Sequence, residues 1–255
     1  MGTDRQNGSL YTNITGKIAT VEFGHPAGNS FVLKMLERFA DEIKKLSNND
    51  AISVIVIKSE GDRAFCGGAS FDELVAISNL EEGKVFFSGF AKVINAMRKC
   101  KKVIVGRVQG KTVGGGVGLA AACDYVFASE AASIRLSELS IGIAPLVIAP
   151  AVARKIGTAA LSDMSLAPTE WKSAYWAQEK GLFSKVFDDI KELDKKLDFF
   201  ANQLSGYNPD ALAEWKAVLW EGTSHWDTLL IERATVTGKL VLSEFTKNAL
   251  SKFNK

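Results

Sequence analysis

Residues 110 to 125, GKTVGGGVGLAAACDY, set three consecutive glycines between the apolar run VIVGRV and a small-residue stretch suited to a helix. The pattern requires a strand to turn abruptly into a helix at a point where something approaches the backbone too closely for a side chain. Two familiar phosphate sites fail on spacing. A P-loop needs four residues ahead of its Gly-Lys-Thr, and only RVQ separates Gly106 from Gly110. In a dinucleotide fingerprint led by Gly114 and Gly116, the third glycine would fall on Leu119. What survives is the physics common to both: backbone N–H groups and the positive end of a helix dipole aimed at one spot, suited to an anion or to a carbonyl oxygen becoming one. For this stretch alone, tight strand-to-helix packing with no ligand is the alternative.

A second glycine pair, in GDRAFCGGAS at 61 to 70, also follows a buried apolar strand, ISVIVIK at 52 to 58. Two such loops allow two N–H donors to converge on one oxygen, a more specific arrangement than either loop alone. Donors of this kind stabilise a thioester enolate, and losing one typically costs about 100- to 1,000-fold in rate.

Other classes of function are disfavoured by composition. Lysine plus arginine number 31 against 29 acidic residues, a mixed surface without the basic footprint of a nucleic-acid binder. The helix-like MLERFADEIKKL likewise mixes both charge signs. Two histidines, His25 and His225, do not make a multi-histidine metal site, and no metal is expected. The three cysteines, Cys66, Cys100 and Cys123, have no paired spacing and point to reduced thiols in a cytoplasmic setting. The N-terminal residues carry no apolar targeting region, and no apolar run is long enough to span a bilayer, so no membrane association is expected.

The 255 residues suffice for one large domain with a sizeable core. KIATVEF at 17 to 23 alternates as a strand does. Strands follow in ISVIVIK, VIVGRV, YVFAS and ASIRLS, with a helix between the first two of these and another in EEGKVFFSGFAKVINAMRKC. From residue 146 onward the pattern reads as helical throughout, including TEWKSAYWAQEKG and a long last segment from about 227 to 252. Strands early and helices late indicate an α/β core completed by a helical C-terminal region. The aromatic residues Phe199, Phe200, Trp215, Trp220 and Trp226 in that region belong either to ordinary core packing or to a surface buried between subunits.

Taken together, ATVEFGHPAGNSF, AFCGGASFDEL, VQGKTVGGGVGLAAACDYVFAS, LSELSIGIAP and AYWAQEKGLFSKVF resemble the enoyl-CoA hydratase/isomerase family, the crotonase superfamily, nearly end to end. The resemblance implies a spiral of ββα units over residues 1–195 and a helical region over 196–255 that trimerises, as a homotrimer or a dimer of trimers. It makes the N–H groups of Ala69 and Gly115 an oxyanion hole for an acyl-CoA thioester. Coenzyme A is then part of the substrate, and no separate cofactor is expected. Cys66, Gly67, Gly68, Ser70 and Phe71 would lie against the coenzyme, whose pantetheine arm runs between the two loops. Gly114 and Gly118 would border the same site.

Hydration of a conjugated thioester is usually divided in this family between two glutamates, one activating water and one protonating the α-carbon. The second is present as Glu138 in SELSIGIAP; on sequence alone it could equally be a surface residue at a helix start. Its neighbours Leu136, Leu139, Ile141 and Ile143 would desolvate the carboxylate and raise its pKa. The first is expected at 118, and Gly118 cannot transfer a proton.

Two enzymatic readings follow. Glu138 alone activates water in a hydratase, with the volume vacated at Gly118 admitting a bulkier or polar acyl group. Alternatively Glu138 carries a proton between the α and γ positions in an isomerase. The runs GGGVGLAAACD and GIAPLVIAPAVARKIG resemble hydratases of branched acyl groups such as 3-methylglutaconyl-CoA of leucine breakdown, which tips the expectation to the hydratase. A CoA-thioester-binding protein without catalysis is the third reading. Ser70, where the family often has Asp, affects loop hydrogen bonding; His25 has a structural or ligand-edge role; Asp124 anchors the core; Cys66 and Cys123 are small apolar fillers.

Overall fold

Alternation in KIATVEF produces strand β2 (Ile18–Gly24), and the residues before it supply a partner that their composition does not announce. Strand β1 (Ser9–Thr15) pairs with β2 antiparallel in the computed structural model, which describes residues 7–252. Helix α1 (Leu33–Ser47) follows, burying Met35, Leu36, Phe39, Ile43 and Leu46, the helical spacing seen in the sequence. Strand β3 (Val54–Ser59) shows why its apolar run is continuous. Ile55 and Ile57 enter the main core, while Val54 and Val56 enter a second cluster on the opposite face of the sheet.

A repeated unit then builds the molecule. Strand β3 lies in the main sheet, the short strand β4 (Ala64–Cys66) in a second one, and helices α2 (Phe71–Ala76) and α3 (Leu80–Lys99) follow. The pattern recurs as β5 (Val103–Val108), β6 (Lys111–Val113) and α4 (Gly115–Ala122). It recurs again as β7 (Tyr125–Ser129), β8 (Ser133–Arg135), a 3-10 turn at Glu138–Ile141 and α5 (Ala149–Leu166). The main sheet runs β1-β2-β3-β5-β7 and closes with β10 (Lys185–Phe187). The second runs β4-β6-β8 and closes with β9 (Lys172–Ser173). All pairs after the first hairpin are parallel except β8 with β9. This α/β spiral of ββα units with C-terminal helices is the expected fold.

The all-helical reading beyond residue 146 needs correction. Within TEWKSAYWAQEKG, Lys172 and Ser173 pair with β8, and only Ala174–Glu179 form helix α6, capped by the Ser173 hydroxyl accepting the Trp176 N–H at 3.1 Å. Lys185–Phe187 become a strand because β7 offers a free parallel edge. These are choices made by pairing partners, not by local periodicity. The last segment is two helices, α9 (Trp226–Val241) and α10 (Glu244–Ser251), separated where Ser243 caps the second.

The other C-terminal helices, α7 (Ile190–Ser205) and α8 (Pro209–Leu219), carry three of the five late aromatics, Phe199, Phe200 and Trp215. Leu193 and Leu197 of α7 cover the outer face of the sheet, where Phe200 packs on Tyr125 and Phe127 at 4.5 and 5.4 Å. Trp220 and Trp226 meet edge to face in the core, whereas Phe199 and Trp215 are exposed. Asp124 is the anchor under α8. Its carboxylate accepts the Ile104 N–H and the Trp220 indole N–H, both at 2.8 Å, and pairs with the buried Lys216 ammonium at 2.9 Å. No helix of the described residues is long and apolar enough to cross a membrane.

Candidate active site

The two glycine loops touch. Strand β4 is followed by Gly67-Gly68, where a Cβ on Gly68 would sit 2.9 Å from the Val113 carbonyl oxygen and 3.7 Å from the Gly115 nitrogen. A bridge to the loop before α1 fixes the peptide that follows: the Phe31 N–H donates to the Gly68 carbonyl at 2.7 Å, and the Ser70 N–H donates to the Phe31 carbonyl at 2.8 Å. The alternation of that bridge turns the Ala69 N–H away from Phe31. Among the described residues it has no hydrogen-bond partner. In the second loop, the Gly114 N–H donates to the Arg135 carbonyl at 3.0 Å and the Val117 and Gly118 N–H groups turn back to the Gly114 carbonyl. Gly115 is the first residue of α4, so its N–H has no partner inside the helix. Ala69 and Gly115 line the same pocket.

Glu138 enters that pocket from the 3-10 turn. Gly114 has φ +51°, and a Cβ there would lie 2.8 Å from Glu138 Oε1, so only glycine lets the carboxylate rest on the loop. The residue as a whole is half-buried, and one oxygen of its carboxylate, Oε2, is buried with no hydrogen-bond partner among the described residues. Burial pushes the carboxyl group up to about 7, offset in part by its own backbone N–H. Ile141 and Ile143 contribute to that environment; Leu139, expected to do so, is exposed instead. A carboxylate near neutrality, opposite two free N–H donors, is equipped to move a proton beside a carbonyl whose oxygen gains charge.

The glycines answer to the protein's own side chains as much as to any ligand. A Cβ on Gly115 would lie 2.2 Å from the Phe90 ring, and one on Gly116 would lie 2.6 Å from Cys66 Cβ. A Cβ on Gly118 would lie 2.4 Å from Ile148 Cγ2. The vacant volume expected at Gly118 is therefore absent, because Ile148 occupies it. Gly118 is buried in α4 and does not line the pocket, whereas Ile148 does.

The remaining expected positions divide clearly. Gly67, Gly68, Phe71 and Gly114 line the pocket. Cys66 lies behind it, fully buried, its thiol pushed up to about 12 by burial and its sulfur accepting the Gly68 N–H at 3.4 Å. Cys123 is pushed equally high by burial, so both thiols stay protonated and unreactive. Ser70 caps α2 through the Glu73 N–H at 3.5 Å. His25 braces its own loop, with Nδ1 accepting the Ala27 N–H and meeting the Ser30 hydroxyl, both at 3.2 Å.

Residues the sequence did not single out complete the walls: Phe87 and Phe90 from α3, Leu146 to Ile148 before α5, and Thr237 from α9. The LVIAPAVAR run was the available signal for Ile148. Asn29 was also missed; buried, it donates to the Glu60 and Ala64 carbonyls at 2.9 Å each and holds β4 in place.

A family model described as enoyl-CoA hydratase/isomerase matches residues 13–249. The chain belongs to this family. Among its relatives is the peroxisomal Delta(3,5)-Delta(2,4)-dienoyl-CoA isomerase of Arabidopsis thaliana, 28% identical over 75% of this chain and 72% of that protein. Another is the short-chain-enoyl-CoA hydratase of Clostridium acetobutylicum, 26% identical over 93% of this chain and 91% of that protein. The crystal structure of an enoyl-CoA hydratase from Bacillus halodurans superposes with a TM-score of 0.88 at 20% identity, covering 95% of this chain and 99% of the other. Membership in the enoyl-CoA hydratase/isomerase family makes a CoA thioester the consistent substrate class, and the match to the Bacillus halodurans fold agrees with the ββα spiral described above.

Proposed function

We propose that the protein is an enoyl-CoA isomerase that moves the double bond of a 3-enoyl thioester into conjugation, with Glu138 as its sole proton carrier. The carboxylate removes a proton from C2. The electron pair moves through the thioester, placing negative charge on the carbonyl oxygen held by the N–H groups of Ala69 and Gly115. The resulting carboxylic acid returns the proton to C4, leaving the double bond between C2 and C3. Glu138 ends as it began, which suits a group whose pKa near neutrality makes both forms accessible.

One observation carries this choice over hydration: Ile148 fills the position beside Gly118, so the vacated volume on which the one-glutamate hydratase reading relies is taken by an apolar side chain. The hydratase reading keeps support from the Clostridium relative and from the polar residue Ser137, which lines the pocket next to Glu138 in the chain. Mass spectrometry of 2-enoyl and 3-enoyl thioesters incubated in heavy water separates them. Double-bond migration without added water is expected, read by chromatographic separation of the isomers, with deuterium entering only as far as the Glu138 acid exchanges its proton before returning it. Gain of water by a 2-enoyl thioester makes the protein a hydratase, and an unchanged panel with retained binding makes it a non-catalytic CoA-thioester binder.

A further inference from the structure

We propose that the pocket selects a short, uncharged acyl chain of about three to five carbons, bounded by Ile148 and Thr237, which both line it. This rests on the reading that the acyl group of a CoA thioester lies between Glu138 and the N–H groups of Ala69 and Gly115.

Size is the first argument. The pocket offers about 70 Å³ of room for water-sized groups. At roughly 10–15 Å³ for each water-sized group, about five to seven non-hydrogen atoms fit, and the carbon, oxygen and sulfur of the thioester take three of them.

The second argument is how the wall is fixed. Ile148 opens α5 and is held against Gly118, with no space behind it to retreat into. Thr237 is brought in by α9, which crosses α3 so closely that a Cβ on Gly83 would lie 2.8 Å from the Gly238 Cα. Glycine on both helices permits that approach, and Thr237 beside Gly238 reaches the pocket as a result. Its hydroxyl donates to the Arg233 carbonyl at 3.0 Å, so its proton is already committed and is not available to bind an acyl group.

Charge is the third. No lysine, arginine or histidine lines the pocket among the described residues. Arg233, on the turn of α9 before Thr237, directs its guanidinium to the Leu146 carbonyl at 3.2 Å and supports the lining segment. A terminal carboxylate, as in a 3-methylglutaconyl group, would be buried there without a partner, which is costly.

Titration calorimetry with butanoyl-, hexanoyl-, decanoyl- and glutaryl-CoA tests this without any reaction taking place. Decanoyl and glutaryl thioesters are expected to bind at least about 30-fold more weakly than butanoyl, and Ile148→Ala to bring decanoyl within about fivefold of it. Should Ile148→Ala fail to fold, Ile148→Val with hexanoyl- and octanoyl-CoA reads the same wall. Decanoyl or glutaryl binding as tight as butanoyl in the wild type overturns the proposal while leaving the reaction assigned to Glu138 untouched. Failure of all four thioesters to bind removes the reading of the pocket as a CoA-thioester site, and this proposal with it.

Discussion

Replacing Glu138 by glutamine should separate the catalytic and structural consequences of a desolvated carboxylate. Glutamine keeps the shape and stays neutral, so it mimics the protonated acid at every pH. The carboxyl group titrates near 7 in the folded protein, against 4.5 for an unperturbed glutamate. Below about pH 4.5 both folded and unfolded chains carry the proton, and the difference between wild type and variant is constant. As pH rises, the unfolded chain releases its proton first and the folded chain binds more protons, so wild-type stability falls until pH passes the folded pKa. A displacement of this size amounts to about 3 kcal/mol.

Urea unfolding at about pH 5 and pH 8.5 should therefore show Glu138→Gln gaining about 2–3 kcal/mol on the wild type between the two conditions. Any packing cost of the amide is common to both pH values and cancels. Turnover should fall by about 100-fold or more while acyl-CoA affinity is kept. A stability gap that does not change with pH refutes the buried, perturbed carboxylate, and near-normal turnover refutes its role as the proton carrier.

Three further outcomes are expected. The kcat/KM of the wild type should decline as pH falls below about 7, because the carboxylate form removes the first proton; a flat profile from about pH 5.5 to 8 counts against Glu138 as the base. Gly118→Glu should lower the thermal midpoint by several degrees, because its Cβ falls 2.4 Å from Ile148, and Gly118→Glu with Ile148→Gly should recover most of that loss; equal midpoints for the single variant and the wild type would show that Ile148 is not confined. Lys216→Met should cost about 3–5 kcal/mol in urea unfolding by leaving Asp124 buried without its ammonium, and Lys216→Met with Asp124→Asn should cost less; a loss under about 1 kcal/mol would show the pair to be dispensable.

Much of the architecture is legible in local pattern. The doubly buried strands stand out as continuous apolar runs because both faces of the sheet are covered, as the split of Val54, Ile55, Val56 and Ile57 between two clusters makes clear. Helix α1 carries its buried positions at helical spacing. Strand β1 was not legible, because its residues are mostly exposed and gain order only from pairing with β2. Strands β9 and β10 are too short for a periodic signal to exist.

For the site, the sequence by itself determined the two glycine loops, the family, and Glu138 as the carboxylate in the position that remains. Each rests on residues adjacent in the chain, whose chemistry and spacing are visible without contacts. Tertiary structure alone decided that Glu138 loses its water and rises toward neutrality, that the Ala69 N–H is freed by the bridge to Phe31, and that Ile148 fills the place beside Gly118. These properties belong to groups brought together from distant parts of the chain. Desolvation, hydrogen-bond satisfaction and close packing depend on what surrounds a group in space, and that surrounding is written only by the fold.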